Sequence, residues 1–291
     1  MTEHDSLIDI RELRGDPVAY AQELDRRWGA LLSYRYIGRN HGSMNVGAED
    51  NTVTLRRDMR NATGGLLVAP LSITSPEGAV GADIETVPNP VIHSCQILDP
   101  GIGVTRIEVA SAPQLHMGAR MGYSRSKIVD ADNPSRVIAY TEGQGVKIGA
   151  VPDGLGKMDP EKLEIVDSPD LPPLWEVFGA SRRPDGRWQL PELRLELASP
   201  DAALHIGPQH VALEQAAIDA AADLAGTDRL QMRSWHVMFL ARGKVGPFRI
   251  DAEAARGADG FVGVQLLMHD EGNQGRAVTA ASALMSIIDG G

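Results

Sequence analysis

Asp219 lies inside HIGPQHVALEQAAIDAAADL, residues 205–224, a run of small apolar residues whose composition predicts a helix. On a helical wheel Leu213, Ala216, Ala217, Ala220 and Leu224 form the core stripe, and Asp219 falls about 120° from its centre. A carboxylate at that edge is either one more solvated helix acid, like Asp223, or a group held beside a cleft. In a cleft it can attack a carbonyl or activate water as a general base. A second chemistry-bearing stretch is ATGGLLVAPLSI, residues 62–73, in which Gly64 and Gly65 open an apolar run. Glycine lets a ligand approach the backbone closely. Free N–H groups at the start of a helix polarise a carbonyl oxygen and favour negative charge developing on it. The glycine pair reads equally as a turn entering a helix, and Pro70 fits such a helix only near its first turn or at a kink.

The other candidates are weaker. Glu214 and Asp223 are alternative acids on the same predicted helix as Asp219. No G-x-S-x-G elbow surrounds Ser72, so it reads as a polar ligand contact rather than a nucleophile. His210 either pins the helix start or touches ligand. Arg56, Arg57 and Arg60 precede the glycine pair, and Arg120 and Arg125 flank a strand turn. Together they could receive phosphates through charge-assisted hydrogen bonds. Cys95 is the only cysteine, which excludes an intramolecular disulfide and a cysteine-based zinc site. No phosphate loop, zinc-protease motif, calcium loop or dinucleotide fingerprint occurs, so no metal or separate cofactor is expected.

These residues must be positioned by a chain of 291 residues, 43% hydrophobic and 23% charged, an ordinary globular composition. A net charge of −11 argues against nucleic acid and anionic membranes as partners. No apolar run is long enough to span a membrane, and the single cysteine suits a cytoplasmic setting. After a helical start, YRYIGRNHGSMNVGAEDNTVTLRRDMRN reads as two strand-like runs. VIHSCQIL, GVTRIEVASA, YSRSKIVD and RVIAYTEGQGVKI read as strands, each bounded by turn residues. Residues 150–173 turn rich in Pro, Gly and Asp. The second half repeats the order, with WQLPELRLEL, the Ala-rich helix, and then LQMRSWHVMFLA, GPFRIDAEAA, GFVGVQLLMHD and RAVTAASALMSII. GVTRIE at 103–108 echoes GPFRID at 246–251, and the pair Asp130 and Arg136 echoes Asp270 and Arg276. A repeat of this size suits a duplicated domain. The expected division is 1–155 for an N-terminal domain with a leading helix, 156–184 for a linker and 185–291 for a C-terminal domain.

This order, with these motifs, resembles the hotdog fold, an α+β architecture in which an antiparallel sheet wraps a central helix. Two fused copies look like a double hotdog. The motifs are most similar to those of PaaI-type acyl-CoA thioesterases, whose helix opens with His-Gly-Gly and carries an Asp or Glu nine residues after that His. Each half keeps part of the pattern. Thr63 and Ser72 stand at the His and acid positions of the first half, which retains Gly64 and Gly65. The second half has His210 and Asp219 but Val211 and Ala212 in place of the glycines. In that family the amides and the acid come from different subunits, so a fused chain could supply both. The resemblance therefore implies one composite site, with Gly64 and Gly65 holding the thioester oxygen and Asp219 acting as base or nucleophile. Thr63, Ser72, His210, Arg60 and Arg120 are the expected substrate contacts. The implied partner is a small-molecule acyl-CoA thioester, with coenzyme A entering only as part of the substrate. A non-catalytic acyl-CoA or lipid-like ligand binder is the alternative, favoured by the missing His and acid of the first half. A hotdog hydratase is a third reading, disfavoured because Asp132, Asn133 and Pro134 lead into Ser135 and Arg136 rather than the His that its signature requires. Free sheet edges leave homo-oligomerisation open.

Overall fold

The structure, a computed structural model, describes residues 7–38, 52–75, 86–111, 114–153 and 163–288. Its centre is a 12-stranded antiparallel sheet made of two similar halves. The first half contains β1 (Thr52–Thr54), β2 (Thr86–Ile97), β3 (Arg106–Ser111), β4 (Gln114–Met117), β5 (Met121–Asp130) and β6 (Asn133–Ala150). The second contains β7 (Ser181–Arg182), β8 (Trp188–Leu190), β11 (Leu230–Phe239), β12 (Phe248–Arg256), β13 (Phe261–Asp270) and β14 (Arg276–Ile287), and a separate small ladder joins β9 (Ala198–Ser199) to β10 (Ala203–Leu204). The spatial order is β1-β3-β5-β6-β2-β11-β14-β13-β12-β8-β7, with β4 beside β5. Reading outward from the β2/β11 seam, the first half runs β2, β6, β5, β3 and the second β11, β14, β13, β12. The same topology therefore occurs twice, related by a pseudo-twofold at the seam. The sequence echoes fall at equivalent places: Arg106 and Arg249 lie at the starts of β3 and β12, and Asp130 and Asp270 end β5 and β13.

Among the described residues five α-helical segments accompany the sheet: α1 (Pro17–Ala30), α2 (Leu32–Arg35), α3 (Val68–Thr74), α4 (Leu174–Val177) and α5 (Ile206–Ala225). Along β13 the buried residues alternate, so that Val262, Val264, Leu266 and Met268 face the core that α5 shares with the sheet. Helix α5 supplies Val211, Ala212, Leu213, Ala216, Ala217 and Ala221 to that core. Its many alanines let the helix axis come close to the strands. His205 caps its N-terminus by accepting from the Gly207 N–H at 3.2 Å, and Gly226, at φ 72°, ends it in the left-handed conformation. At the seam Cys95 stands opposite Trp235 and His93 opposite Val237, all four side chains buried.

The strand-like stretch after the first helix folds differently from the expectation. Tyr34 and Arg35 complete the short helix α2 rather than a strand, because Leu31 and Tyr34 are drawn into a satellite core with Ile10, Tyr20, Leu24 and Trp28. Residues 39–51 of the same strand-like stretch lie outside the described residues. Helix α3 is short, and Pro70 sits in its first turn, where it forfeits no intrahelical hydrogen bond.

Candidate active site

Every residue of α3 is buried, and its first two N–H groups point across the seam at a carboxylate. Glu214 of α5 accepts from the Val68 N–H at 2.6 Å and the Ala69 N–H at 2.8 Å. A helix start has such N–H groups to satisfy, and here a side chain from the other half satisfies them. Glu214 is 3% exposed. Burial pushes its pKa up to about 7, although the two amide hydrogen bonds pull the other way. The result is a carboxylate poised to gain or lose a proton near neutrality, in the range suited to a general base.

Glu214 lines a cavity of about 410 Å³. Leu67, Leu174, Trp175, Val211 and Ile218 give it apolar walls, and Arg57, Arg60 and Asn61 bring polar groups to it. The cavity thus draws on the loop before α3, on α5, and on the connection between the halves. Among the described residues no three His, Cys, Asp or Glu side chains converge as a metal site would require.

The residues singled out from sequence are distributed differently from the expectation. The Gly64 and Gly65 amides are engaged inside their own turn: Gly64 donates to the Asn61 carbonyl at 3.0 Å and Gly65 to the Asn61 side chain at 3.1 Å. Gly64 is needed for its φ of +80°, and Gly65 because a Cβ there would stand 2.1 Å from Gln231 Oε1. Asp219 is bonded to the Trp188 indole N–H at 3.0 Å and to the Gln215 amide at 2.8 Å, with Arg182 at 3.7 Å. Glu214 and Gln215 line the cavity and Asp219 stands behind them. The early amides and the late acid do meet, but as Val68, Ala69 and Glu214. Thr63 donates to Asn61 and Gln231 in the turn. Ser72 is fully buried, and among the described residues its hydroxyl has no hydrogen-bond partner. His210 is also fully buried, accepting from the Trp235 indole at 3.0 Å and lying edge-on to His93.

The arginines divide. Arg60 reaches the cavity, but its guanidinium also ties the carbonyls of Gly64, Gly101 and Val104 together. Arg56 is buried in an ion pair with Asp58 and stacks on Tyr36. Arg57 pairs with Asp167 at the cavity side, Arg125 pairs with Glu142, and Arg120 is exposed at the β4–β5 turn. Only Arg57 and Arg60 of the expected basic patch line the cavity.

No protein-family model matches the chain, and no curated protein matches it. Solved structures do match over most of both chains. The TesB protein of Mycobacterium avium subspecies paratuberculosis superposes with a TM-score of 0.54 at 13% identity, over 82% of this chain and 93% of that one. A protein assigned as a thioesterase from Novosphingobium aromaticivorans gives 0.53 at 13% identity, over 82% and 95%. A Lactobacillus plantarum protein assigned as an oleoyl thioesterase gives 0.51 at 11% identity, over 82% and 96%. This chain has the double-hotdog fold.

The pseudo-twofold of the double hotdog also corrects the sequence alignment of the two halves. Leu67 and His205 are the equivalent caps, and Val68-Ala69-Pro70 matches Ile206-Gly207-Pro208. Ser72 is therefore the counterpart of His210, and Thr63 has no such relation to it. The start of α5 is the mirror image of the Glu214 clasp, and it is closed differently. Its Gly207 N–H is taken by His205, and Ser33 of α2, fully buried, lies so close that a Cβ on Gly207 would stand 1.8 Å from its hydroxyl. Glu214 is the alternative acid to Asp219 on the sequence, and the Pro shared at the third position of both helices is the signal that sets the register of the helix start. Among the described residues no helix is long and apolar enough to cross a membrane.

Proposed function

We propose that the double hotdog hydrolyses an acyl-CoA-type thioester at the Glu214 cavity. The observation that carries this reading is a buried carboxylate of pKa about 7, clasped by the Val68 and Ala69 amides at the wall of an apolar cavity. A thioester entering the cavity displaces one carboxylate oxygen from an amide, and its carbonyl oxygen accepts that hydrogen bond instead. The amide then stabilises the charge that develops on this oxygen. The released carboxylate oxygen takes a proton from water as the water oxygen bonds to the carbonyl carbon. Collapse of the tetrahedral intermediate breaks the carbon–sulfur bond, and Glu214 returns its proton to the departing sulfur, leaving a carboxylic acid and a thiol. Arg57 and Arg60 at the cavity side suit the phosphates of coenzyme A. The structural neighbours assigned as thioesterases are consistent with this chemistry.

The test is thiol release from a panel of acyl-CoAs by wild type and Glu214→Gln. Loss of a general base lowers kcat by about 10²-fold or more with KM changed little. Wild-type release no faster than buffer would sink the reading. The alternative, a ligand-binding protein without turnover, has one observation in its favour: both amides are already occupied by Glu214. It predicts saturable acyl-CoA binding and no thiol release from either protein.

A further inference from the structure

We propose that Trp175 sets the size of the acyl group that the cavity admits, and that Asp219 is the positioning residue that holds Trp175 in place. This rests on the Glu214 cavity being an acyl-thioester site. Trp175 belongs to α4, a helix of only four residues in the connection between the halves. So short a segment has little internal stiffness, and its ring needs support from outside. That support is Trp188 of β8, 7% exposed, whose ring meets Trp175 nearly edge to face at 5.0 Å and 71°. Trp188 is in turn fixed by its indole N–H, which donates to one Asp219 oxygen at 3.0 Å. The other Asp219 oxygen receives the Gln215 amide at 2.8 Å, and Gln215 itself lines the cavity. One carboxylate therefore anchors two separate parts of the wall, and nothing in the proposed chemistry requires it to touch substrate. This accounts for an acid at the edge of an otherwise apolar helix.

The cavity fixes the substrate class. At about 30 Å³ for each water- or methylene-sized group, 410 Å³ holds on the order of a dozen such groups, the thioester included. With Leu67, Leu174, Val211 and Ile218 as walls, the expected acyl group is aliphatic and of short to medium length. Trp175 is the largest side chain among these walls and comes from the connection between the halves, so trimming it lengthens the space open to a chain.

The experiment measures kcat and KM across saturated acyl-CoAs of increasing length for wild type, Trp175→Ala, Trp175→Leu and Asp219→Ala, with the exposed Asp223→Ala as control. The same lengths are titrated calorimetrically as non-hydrolysable acyl thioethers, against folded protein verified by thermal melting. Both Trp175 variants should move the preferred length upward, through lower KM and lower Kd for long chains at nearly unchanged kcat. The gain should be about fourfold for each added methylene that becomes buried. Asp219→Ala should shift the profile in the same direction by a smaller amount, and Asp223→Ala should leave it at wild type. An unchanged length profile in both Trp175 variants overturns the proposal whether or not the protein hydrolyses anything. A shift in the Trp175 variants with none in Asp219→Ala removes the positioning role. Length-dependent thioether binding without turnover removes hydrolysis and keeps this inference, while failure to bind any thioether removes both.

Discussion

Glu214 and Val68 are 146 residues apart in the chain and 2.6 Å apart in space. That contact places an acid of the second half on helix α3 of the first, and it has a consequence for stability. The folded-state pKa of about 7 stands above the ordinary 4.5 of an unfolded glutamate, with burial as the leading cause. Between those two values the folded protein keeps a proton that the unfolded chain releases. Stability therefore falls as pH rises from about 4.5 to 7 and loses nothing further from this group above that. The loss is on the order of 3 kcal/mol. Urea unfolding from pH 5 to pH 8 should show this decline, and Glu214→Gln should flatten it. A decline of equal size in the Gln variant would assign it to other groups.

The same titration sets the pH dependence of turnover. A general base works only when ionised, so kcat/KM for an acyl-CoA should rise with pH and level off above about 7. In Glu214→Gln the residual rate should lose this limb. Asp219→Asn, which keeps a carbonyl oxygen for the Trp188 indole, should retain the limb and most of the rate. A pH profile shared by wild type and Glu214→Gln would assign the base elsewhere.

The sheet was largely legible in the sequence, and the details of the site were not, for a physical reason. Alternation along GFVGVQLLMHD and the turn residues around ADNPS and EGNQG are local signals, and they give β13 and the β5–β6 and β13–β14 turns directly. The pairing of halves followed from the repeat. The acid that lines the cavity, Glu214, lies a little over one helical turn before Asp219, and sequence does not separate the two because a carboxylate's role depends on what faces it. Glu214 lies beside the core stripe where a lone glutamate would be costly, and only the Val68 and Ala69 amides make it tolerable. Asp219 looks out of place for a related reason: its partner Trp188 comes from a strand of only three residues, 31 positions away in the chain. For Gly64 and Gly65 the sequence offers either a ligand-facing backbone or a turn, and the structure engages both amides in the Asn61 turn.

Ser33 against Gly207 makes the two halves unequal, and this can be measured. The mirror position of the Glu214 clasp is filled by α2 and by the His205 cap, so a non-hydrolysable acyl thioether should bind with a stoichiometry of one per chain. Gly207→Ala would place a methyl 1.8 Å from the Ser33 hydroxyl and 2.9 Å from its Cβ. Such overpacking costs about 1–3 kcal/mol. Ser33→Gly in the same chain should recover much of that loss, giving a coupling energy well outside additivity in a double-mutant cycle. Strict additivity would show that α2 does not press on the start of α5 in solution.

Arg242 and Asp201 form the other seam between elements distant in sequence. Arg242 grips both oxygens of Asp201, at 2.8 and 2.5 Å, and its remaining nitrogen reaches Asn89 of β2 at 2.8 Å. Asp201 is 1% exposed and also accepts from Ser199. Burial alone would raise its pKa, but the Arg242 charge and hydrogen bonds outweigh burial and bring it down to about 2. A carboxylate depressed in this way contributes stability above its unfolded value near 3.8 and loses that contribution as pH falls toward 2. Arg242→Ala leaves the acid buried without its cation, and the expected loss at neutral pH is about 3–5 kcal/mol. Adding Asp201→Asn to that variant removes the stranded charge and should restore part of the loss. The pair is separate from the Glu214 cavity, so an Arg242→Ala protein kept below its unfolding temperature should retain the wild-type acyl-length profile while melting earlier. A changed profile would mean that the grip on β2 also shapes the cavity.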